Sequence, residues 1–318
     1  MISVKNLTKY YADNLALDRV SFEVEAGDIV GFLGPNGAGK STTMKIITCF
    51  LPPSAGRAKV AEYDIIDSPM EVRRRIGYMP ENVPLYTEMR VREYLSFRAK
   101  IKDVPRKERT ARIEQVMSRC WLTHVQRQTI GTLSKGYRQR VGLADAMVSD
   151  PEILILDEPT IGLDPNQVRQ VRELVKELGQ DHTVLVSTHI LPEVEMICDR
   201  VIIINNGRIA MQDSLASLRK GSSKHVEYYL EVKGPADEVD RVLRTVEGIT
   251  ELSAHPVHHG GDDVAGFTFK AAREGGAAEA VAAKMVTSGW SVRELRRRER
   301  TLEDVFVEVV GRELPVSA

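Results

Sequence analysis

Several scarcities in this sequence narrow what the chain can be. Its three cysteines, Cys49, Cys120 and Cys198, are scattered and lack the paired spacing of a zinc site. They read as buried thiols of a reducing compartment rather than disulfide partners. No apolar run approaches the roughly 20 residues that cross a bilayer as a helix. The opening Met1-Ile2-Ser3-Val4-Lys5-Asn6 also lacks the apolar stretch of a secretory signal, so a cytoplasmic chain is expected. Charge of one sign is missing as well: 44 Lys and Arg offset 45 Asp and Glu, leaving a net charge of -1. Nothing in that balance draws the chain to nucleic acid or to an anionic membrane, so no nucleic-acid partner is expected, and membrane association would need a specific partner. With 318 residues, 42% of them hydrophobic, the chain can bury a sizeable core and its length suggests two domains.

The most informative segment is Gly34-Pro35-Asn36-Gly37-Ala38-Gly39-Lys40-Ser41-Thr42, which follows the apolar run Ile29 to Leu33. Strand, glycine-rich loop and helix in that order form a phosphate cradle: the glycines let backbone N–H groups converge on an anion where a helix begins. Lys40 adds a point charge near the β- and γ-phosphates, and Ser41 offers a hydroxyl to Mg²⁺. Apolar residues at helical spacing run from Thr42 to Phe50, and Pro52-Pro53 ends that helix. Upstream, Val20, Phe22 and Val24 alternate with polar residues as in a half-buried antiparallel strand. A phosphate loop by itself does not choose among GTPases, kinases and ATP-driven motors.

Further motifs make that choice. Leu133-Ser134-Lys135-Gly136-Tyr137 precedes a helical stretch, and the apolar run Ile153 to Leu156 closes in Asp157-Glu158-Pro159. Gly162-Leu163-Asp164 and then Ser187-Thr188-His189 follow. In this order the motifs resemble the ATP-binding subunit of ABC transporters, over residues 1 to about 220, and most closely the exporter type whose permease is a separate protein. The resemblance implies an α/β fold: a P-loop ATPase core with an antiparallel β subdomain and a helical subdomain near residues 85–150. It also implies ATP and Mg²⁺ as ligands, and a homodimer or heterodimer closing head to tail around two nucleotides. The competing class is a soluble ABC ATPase acting on nucleic acid or translation; such proteins usually carry two cassettes or a long inserted coiled coil, and this chain has one cassette.

Each motif also has a chemical reading. A carboxylate at the end of a buried strand, Asp157, can hold Mg²⁺ directly or through water. The family's general-base role falls on Glu158, next in line, which would polarise the attacking water; the pair could otherwise be a solvated turn. His189, at the end of a second apolar strand, would lie beside Asp157 and sense the γ-phosphate. Ser134 can cap the helix that follows it, leaving free N–H groups for an anion. Whether that is an ordinary cap or a nucleotide contact is left open by the pattern; the resemblance assigns Ser134 and Gly136 to the partner's nucleotide, and Asp164 to nucleotide binding. Tyr11 is the implied adenine platform, and ATP over GTP comes from the resemblance alone.

Two departures stand out. The common signature is Leu-Ser-Gly-Gly-Gln, whereas Lys135 and Tyr137 fill its third and fifth places here. Glu81, in Ile76-Gly77-Tyr78-Met79-Pro80-Glu81, occupies the usual place of a Gln that touches Mg²⁺. A carboxylate remains a good ligand for a hard cation but brings negative charge near the γ-phosphate, which suggests slow turnover without a partner; the side chain could also turn to solvent. Leu85, Tyr86 and Met89 belong either to a helical core or, as the resemblance implies, to a groove for a cytoplasmic helix of the permease. That permease would hold the chain at the cytoplasmic face of the cell membrane.

Past Gly221-Ser222-Ser223-Lys224, which reads as a linker, residues 221–318 form a second domain. Val226, Tyr228, Leu230 and Val232 alternate with polar residues in an amphipathic strand. Helices across Val239–Val246 and Glu279–Val286 and three further strand candidates point to a small α+β accessory module with both helices on one sheet face. His258-His259 reads as surface loop, and the arginines from Arg293 to Arg300 as a solvated face. A last helix carries Leu302, Val305, Phe306 and Val309 as an apolar stripe for docking.

Overall fold

The computed structural model describes residues 1–220, 225–255, 264–272, 276–298 and 301–311. The proposed linker 221–224 and the His258-His259 pair lie outside them. The chain divides into two compact units, residues 1–216 together with 302–318, and residues 217–301.

The first unit opens with strands β1 (Ile2–Tyr11), β2 (Asn14–Val24) and β3 (Ile29–Leu33), followed by helix α1 (Lys40–Ile47). Then come β4 (Ala55–Val60), β5 (Tyr63–Asp64), α2 (Pro69–Arg75) and β6 (Ile76–Met79). Helices α3 (Val91–Ile101), α4 (Arg109–Arg119) and α5 (Lys135–Met147) form a helical layer before β7 (Ile153–Asp157). The unit continues with α6 (Pro165–Leu178), β8 (Thr183–Thr188), α7 (Leu191–Ile197), β9 (Arg200–Asn205) and β10 (Arg208–Ser214).

Two sheets organise these elements. The larger runs β10-β9-β3-β8-β7-β6, parallel except for the hairpin strand β10, while the smaller runs β2-β1-β4-β5 and is antiparallel. The parallel strands β3, β7 and β8 are buried along their whole length, which is why they read as unbroken apolar runs rather than alternations. By contrast β2 faces the core on one side only, and Val20, Phe22 and Val24 point inward as their spacing predicts. One buried cluster joins the sheets: Phe22 and Phe32 meet with ring centroids 5.4 Å apart, and Met44 and Ile47 of α1 pack into the same cluster. In the helical layer, Asp145 of α5 draws Arg98 at 2.8 Å and the Tyr94 hydroxyl at 3.3 Å, so a carboxylate buried between helices has its partners.

The second unit follows helix α8 (Leu215–Lys220) with β11 (His225–Lys233), α9 (Ala236–Leu243), β12 (Ile249–His255), β13 (Val264–Ala272), α10 (Ala277–Thr287) and β14 (Ser291–Arg298). Its antiparallel sheet runs β12-β13-β11-β14. Leu230, Val232, Phe267 and Phe269 meet Val239 and Leu243 of α9 and Val281 and Met285 of α10 in one apolar cluster. The expected α+β module is therefore present, with β14 running to Arg298 because its antiparallel pairing with β11 continues past Leu295 to Glu227.

The chain then re-enters the first unit as α11 (Leu302–Gly311). Leu302 and Val305 are buried, Leu302 N donates to a Glu195 carboxylate oxygen of α7 at 2.7 Å, and Asn205 Nδ2 donates to Val310 O at 3.3 Å. Leu302 and Val305 of the apolar stripe thus pack within the first unit.

Candidate nucleotide site

The carboxyl ends of the parallel strands converge on a cleft of about 470 Å³, where ligands settle in open α/β sheets. The loop from Gly34 to Gly39 connects β3 to α1 along its floor. Gly39 adopts φ 106° and Gly37 φ 80°, conformations that only glycine reaches cheaply, and they turn the chain so that α1 starts at once, at Lys40 rather than Thr42. Gly34 has no room for a side chain: a Cβ there would lie 2.4 Å from Ile204 O. Ala38 is buried, its N–H donating to Pro35 O at 3.2 Å, so Gly34, Pro35 and Ala38 shape the loop while Asn36, Gly37, Gly39, Lys40, Ser41 and Thr42 face the cleft.

Lys40 is only 7% exposed. Its ammonium donates to Gly34 O at 2.8 Å and Pro35 O at 3.3 Å, and Glu158 Oε1 stands 3.8 Å away. Loop carbonyls and a carboxylate thus hold the cation over the loop. On the other side, Ser41 Oγ donates to Asp157 Oδ1 at 3.3 Å. Asp157 pairs in register with Ser187 of the neighbouring strand, and the Ser187 hydroxyl donates to its carboxylate. The same Ser187 fixes Glu158, whose N–H meets both Ser187 O and Oγ at 3.1 Å. That support holds Glu158 at φ 51°, a left-handed backbone uncommon outside glycine, which swings its carboxylate away from that of Asp157 and into the cleft. Ser187 is a residue whose role the motif pattern left unassigned; its signal is a small hydroxyl at the end of the strand paired with β7.

His189 lies against Glu158, its Nδ1 at 3.0 Å from both carboxylate oxygens, rather than beside Asp157 as anticipated. Glu81 lines the cleft with Lys40, Ser41 and His189, and it also lines the neighbouring cleft on the side of the helical layer. Tyr11, 44% exposed at the end of β1, is not among the residues lining the cleft; the Lys9 ammonium sits 5.5 Å from its ring centre.

Ser134, Gly136 and Asp164 do not line the cleft of their own chain. Ser134 caps α5 by accepting from Tyr137 N at 3.4 Å, and Asp164 caps α6 by accepting from Asn166 N and Gln167 N at 3.0 Å. Gly136 is packed so closely that a Cβ would meet Gln167 Oε1 at 2.3 Å.

The donor set around Ser41 suits Mg²⁺. Among the described residues no cluster of three or more His, Cys, Asp or Glu forms a protein-only metal cage. Mg²⁺ takes one or two carboxylates and completes its oxygen shell with phosphates and water, and a serine hydroxyl beside one strand-end carboxylate, with Glu81 across the cleft, is such a partial set.

Comparison with known proteins agrees with this geometry. The ABC transporter family matches over residues 17–161. The bacitracin transport ATP-binding protein BcrA of Bacillus licheniformis is 31% identical over 313 residues, covering 98% of this chain and 97% of its own. The daunorubicin resistance ATP-binding protein DrrA3 of Streptomyces coeruleorubidus is 30% identical, covering 98% and 96%. Among solved structures, an ATP-binding subunit of an ABC transporter superposes with a TM-score of 0.65 at 32% identity, over 69% of this chain and 92% of that one. A dimeric cassette in a post-hydrolysis state with ADP and Pi gives 0.63 at 27%, over 68% and 99%. The phosphate loop and the strand-end carboxylates Asp157 and Glu158, together with relatives matching nearly end to end, make this chain an ATP-binding subunit of the ABC transporter family.

Proposed function

We propose that this chain hydrolyses ATP in a head-to-tail dimer and drives a separate membrane permease, in the direction of export. The observation that carries the catalytic part is the arrangement at the mouth of the phosphate loop, where the buried Lys40 and Glu158 meet the more exposed His189. Lys40 exchanges its two loop carbonyls for the β- and γ-phosphate oxygens of ATP. Glu158 takes a proton from, or polarises, the water that attacks the γ-phosphate, with His189 steadying its carboxylate. Ser41 and Asp157, with Glu81, are the residues that would hold Mg²⁺, which supplies charge neutralisation to the phosphates. Ser134, Gly136 and Asp164 serve the partner's nucleotide, in keeping with their place outside the cleft of their own chain. Tyr11 remains our candidate for the adenine platform, reached on ATP binding.

The permease contact falls on the helical layer. Leu85 and Met89 are half-buried, whereas Tyr86 is exposed and leans on Tyr94 and Phe97 at 6.2 and 5.6 Å between ring centroids. Beside it opens a cleft of about 540 Å³ walled by Tyr78, Glu81, Val83, Tyr94 and Arg98, which links this surface to Glu81 and the nucleotide side. No helix among the described residues is long and apolar enough to cross a membrane. Export is supported by relatives named for bacitracin transport and daunorubicin resistance.

The test is to tag the Glu158→Gln chain in its host, extract membranes in mild detergent with ATP present, and identify what co-purifies. A multi-span membrane protein supports the reading; ribosomes, DNA or no partner would overturn it.

A further inference from the structure

Helix α7 starts two residues after His189 and buries a carboxylate that none of the steps above uses. Glu193 is 6% exposed, and its Oε2 accepts the hydroxyl of Thr160, itself 5% exposed, at 2.7 Å. Thr160 stands two residues after Glu158, in a turn closed by Ile161 N to Glu158 O and Leu163 N to Thr160 O, both at 3.2 Å. Burial pushes the Glu193 carboxyl above its ordinary range, and Glu158 adds to that push while Thr160, Arg172 and His189 oppose it. Placing an acid so near Glu158 is costly unless its hydrogen bond is needed.

The helix that carries Glu193 is itself pinned. Glu195, two positions on and so on the opposite side of the helix, receives the N–H of Leu302 at 2.7 Å, and Leu302 and Val305 of α11 are each 2% exposed. A helix fixed on its outer side holds Glu193 steady on its inner side.

We propose that Glu193 is a positioning residue for ATP hydrolysis: through Thr160 it ties the turn after Glu158 to the helix after His189, so that the two groups flanking the attacked phosphate keep one relative placement. The inference rests on the ATPase reading above. Glu193 itself touches no substrate. The turn needs such a tie because Glu158 and Gly162 both hold left-handed backbones, φ 51° and 73°, which the intervening residues must maintain.

The experiment uses the full chain with Thr160→Val, Thr160→Ser, Glu193→Leu and the Thr160→Val/Glu193→Leu double variant. We expect Thr160→Val to lower kcat tenfold or more while the affinity for the slowly hydrolysed analogue ATPγS, measured by calorimetry, stays within twofold. Thr160→Ser keeps the hydroxyl and restores kcat to within threefold of the parent. The double variant loses no more than the worse single one, since both remove the same bond. In the nucleotide-free chain, amide exchange at Ile161 and Leu163 speeds up tenfold in Thr160→Val but not in Thr160→Ser. Unchanged kcat in Thr160→Val, equal losses in the Val and Ser variants, or additive losses in the double variant would each overturn the proposal. Should Thr160→Val fail to fold, Thr160→Ala gives the same comparison. Glu158→Gln run alongside separates the two levels: if it keeps full turnover, the ATPase site itself has been misread.

Discussion

The two units bury different kinds of residue, and the contrast locates the chemistry. In the first, Lys40, Asp157, Glu158, Ser187 and Glu193 are buried and every one is tied to another member of the set or to the loops between them. In the second, Thr268 is the one buried polar residue among those described, and the cluster around Phe267 and Phe269 is wholly apolar. Both units are stabilised by the same removal of apolar surface from water. Only one of them also accepts the cost of desolvating charge, which makes sense where a phosphate is to be met. The second unit carries its charges on the surface, where Arg296 lies 2.8 Å from Glu294 and over the Tyr229 ring, and Arg298 lies 3.5 Å from Glu227.

That contrast can be broken from either side. Glu158→Gln removes the proposed general base and should cut turnover by about 10³-fold, within the range of roughly 10²–10⁴ typical of such groups, while ATP binding persists. The check is steady-state phosphate release beside equilibrium nucleotide binding. Phe267→Ala should instead destabilise the second unit by about 3–5 kcal/mol, the usual loss for a buried aromatic. Denaturant unfolding followed by Trp290 fluorescence would read it, and unchanged stability would mean the apolar cluster does not sustain that unit.

Lys40→Ala acts on binding. A buried cation aimed at phosphate is worth about 1.5–3 kcal/mol, so ATP affinity should fall roughly 10- to 150-fold, as calorimetry would show. At the bottom of the scale, Arg296→Ala should change stability by less than about 0.5 kcal/mol, because the pair it breaks is exposed. A loss of 2 kcal/mol or more, on the order of a buried network, would show that this face is not simply solvated.

How much of this was legible beforehand depended on how local each signal is. The phosphate loop reads directly because glycine positions, strand and helix are contiguous, and the strand-end Asp157-Glu158 follows from an apolar run meeting two acids. The alternation in β11 revealed the inner face of the second unit in the same way. What did not read is what depends on register and backbone dihedrals. The pairing of Asp157 with Ser187 comes from the alignment of β7 with β8, and the turn of Glu158 toward His189 comes from one left-handed residue. Tyr11 is implied by the resemblance alone, and it ends β1 outside the residues that line the cleft. Glu193 and Thr160 are 33 residues apart, and no spacing rule joins them.

The central claim is that two copies of this chain close over ATP held by Lys40 and hydrolysed through Glu158. Its most direct test is the molar mass of purified Glu158→Gln by light scattering, with and without Mg-ATP. The account predicts a monomer of 35.5 kDa without nucleotide and a stable dimer of twice that mass with it. A monomer under both conditions, in a variant shown to bind ATP, would contradict it.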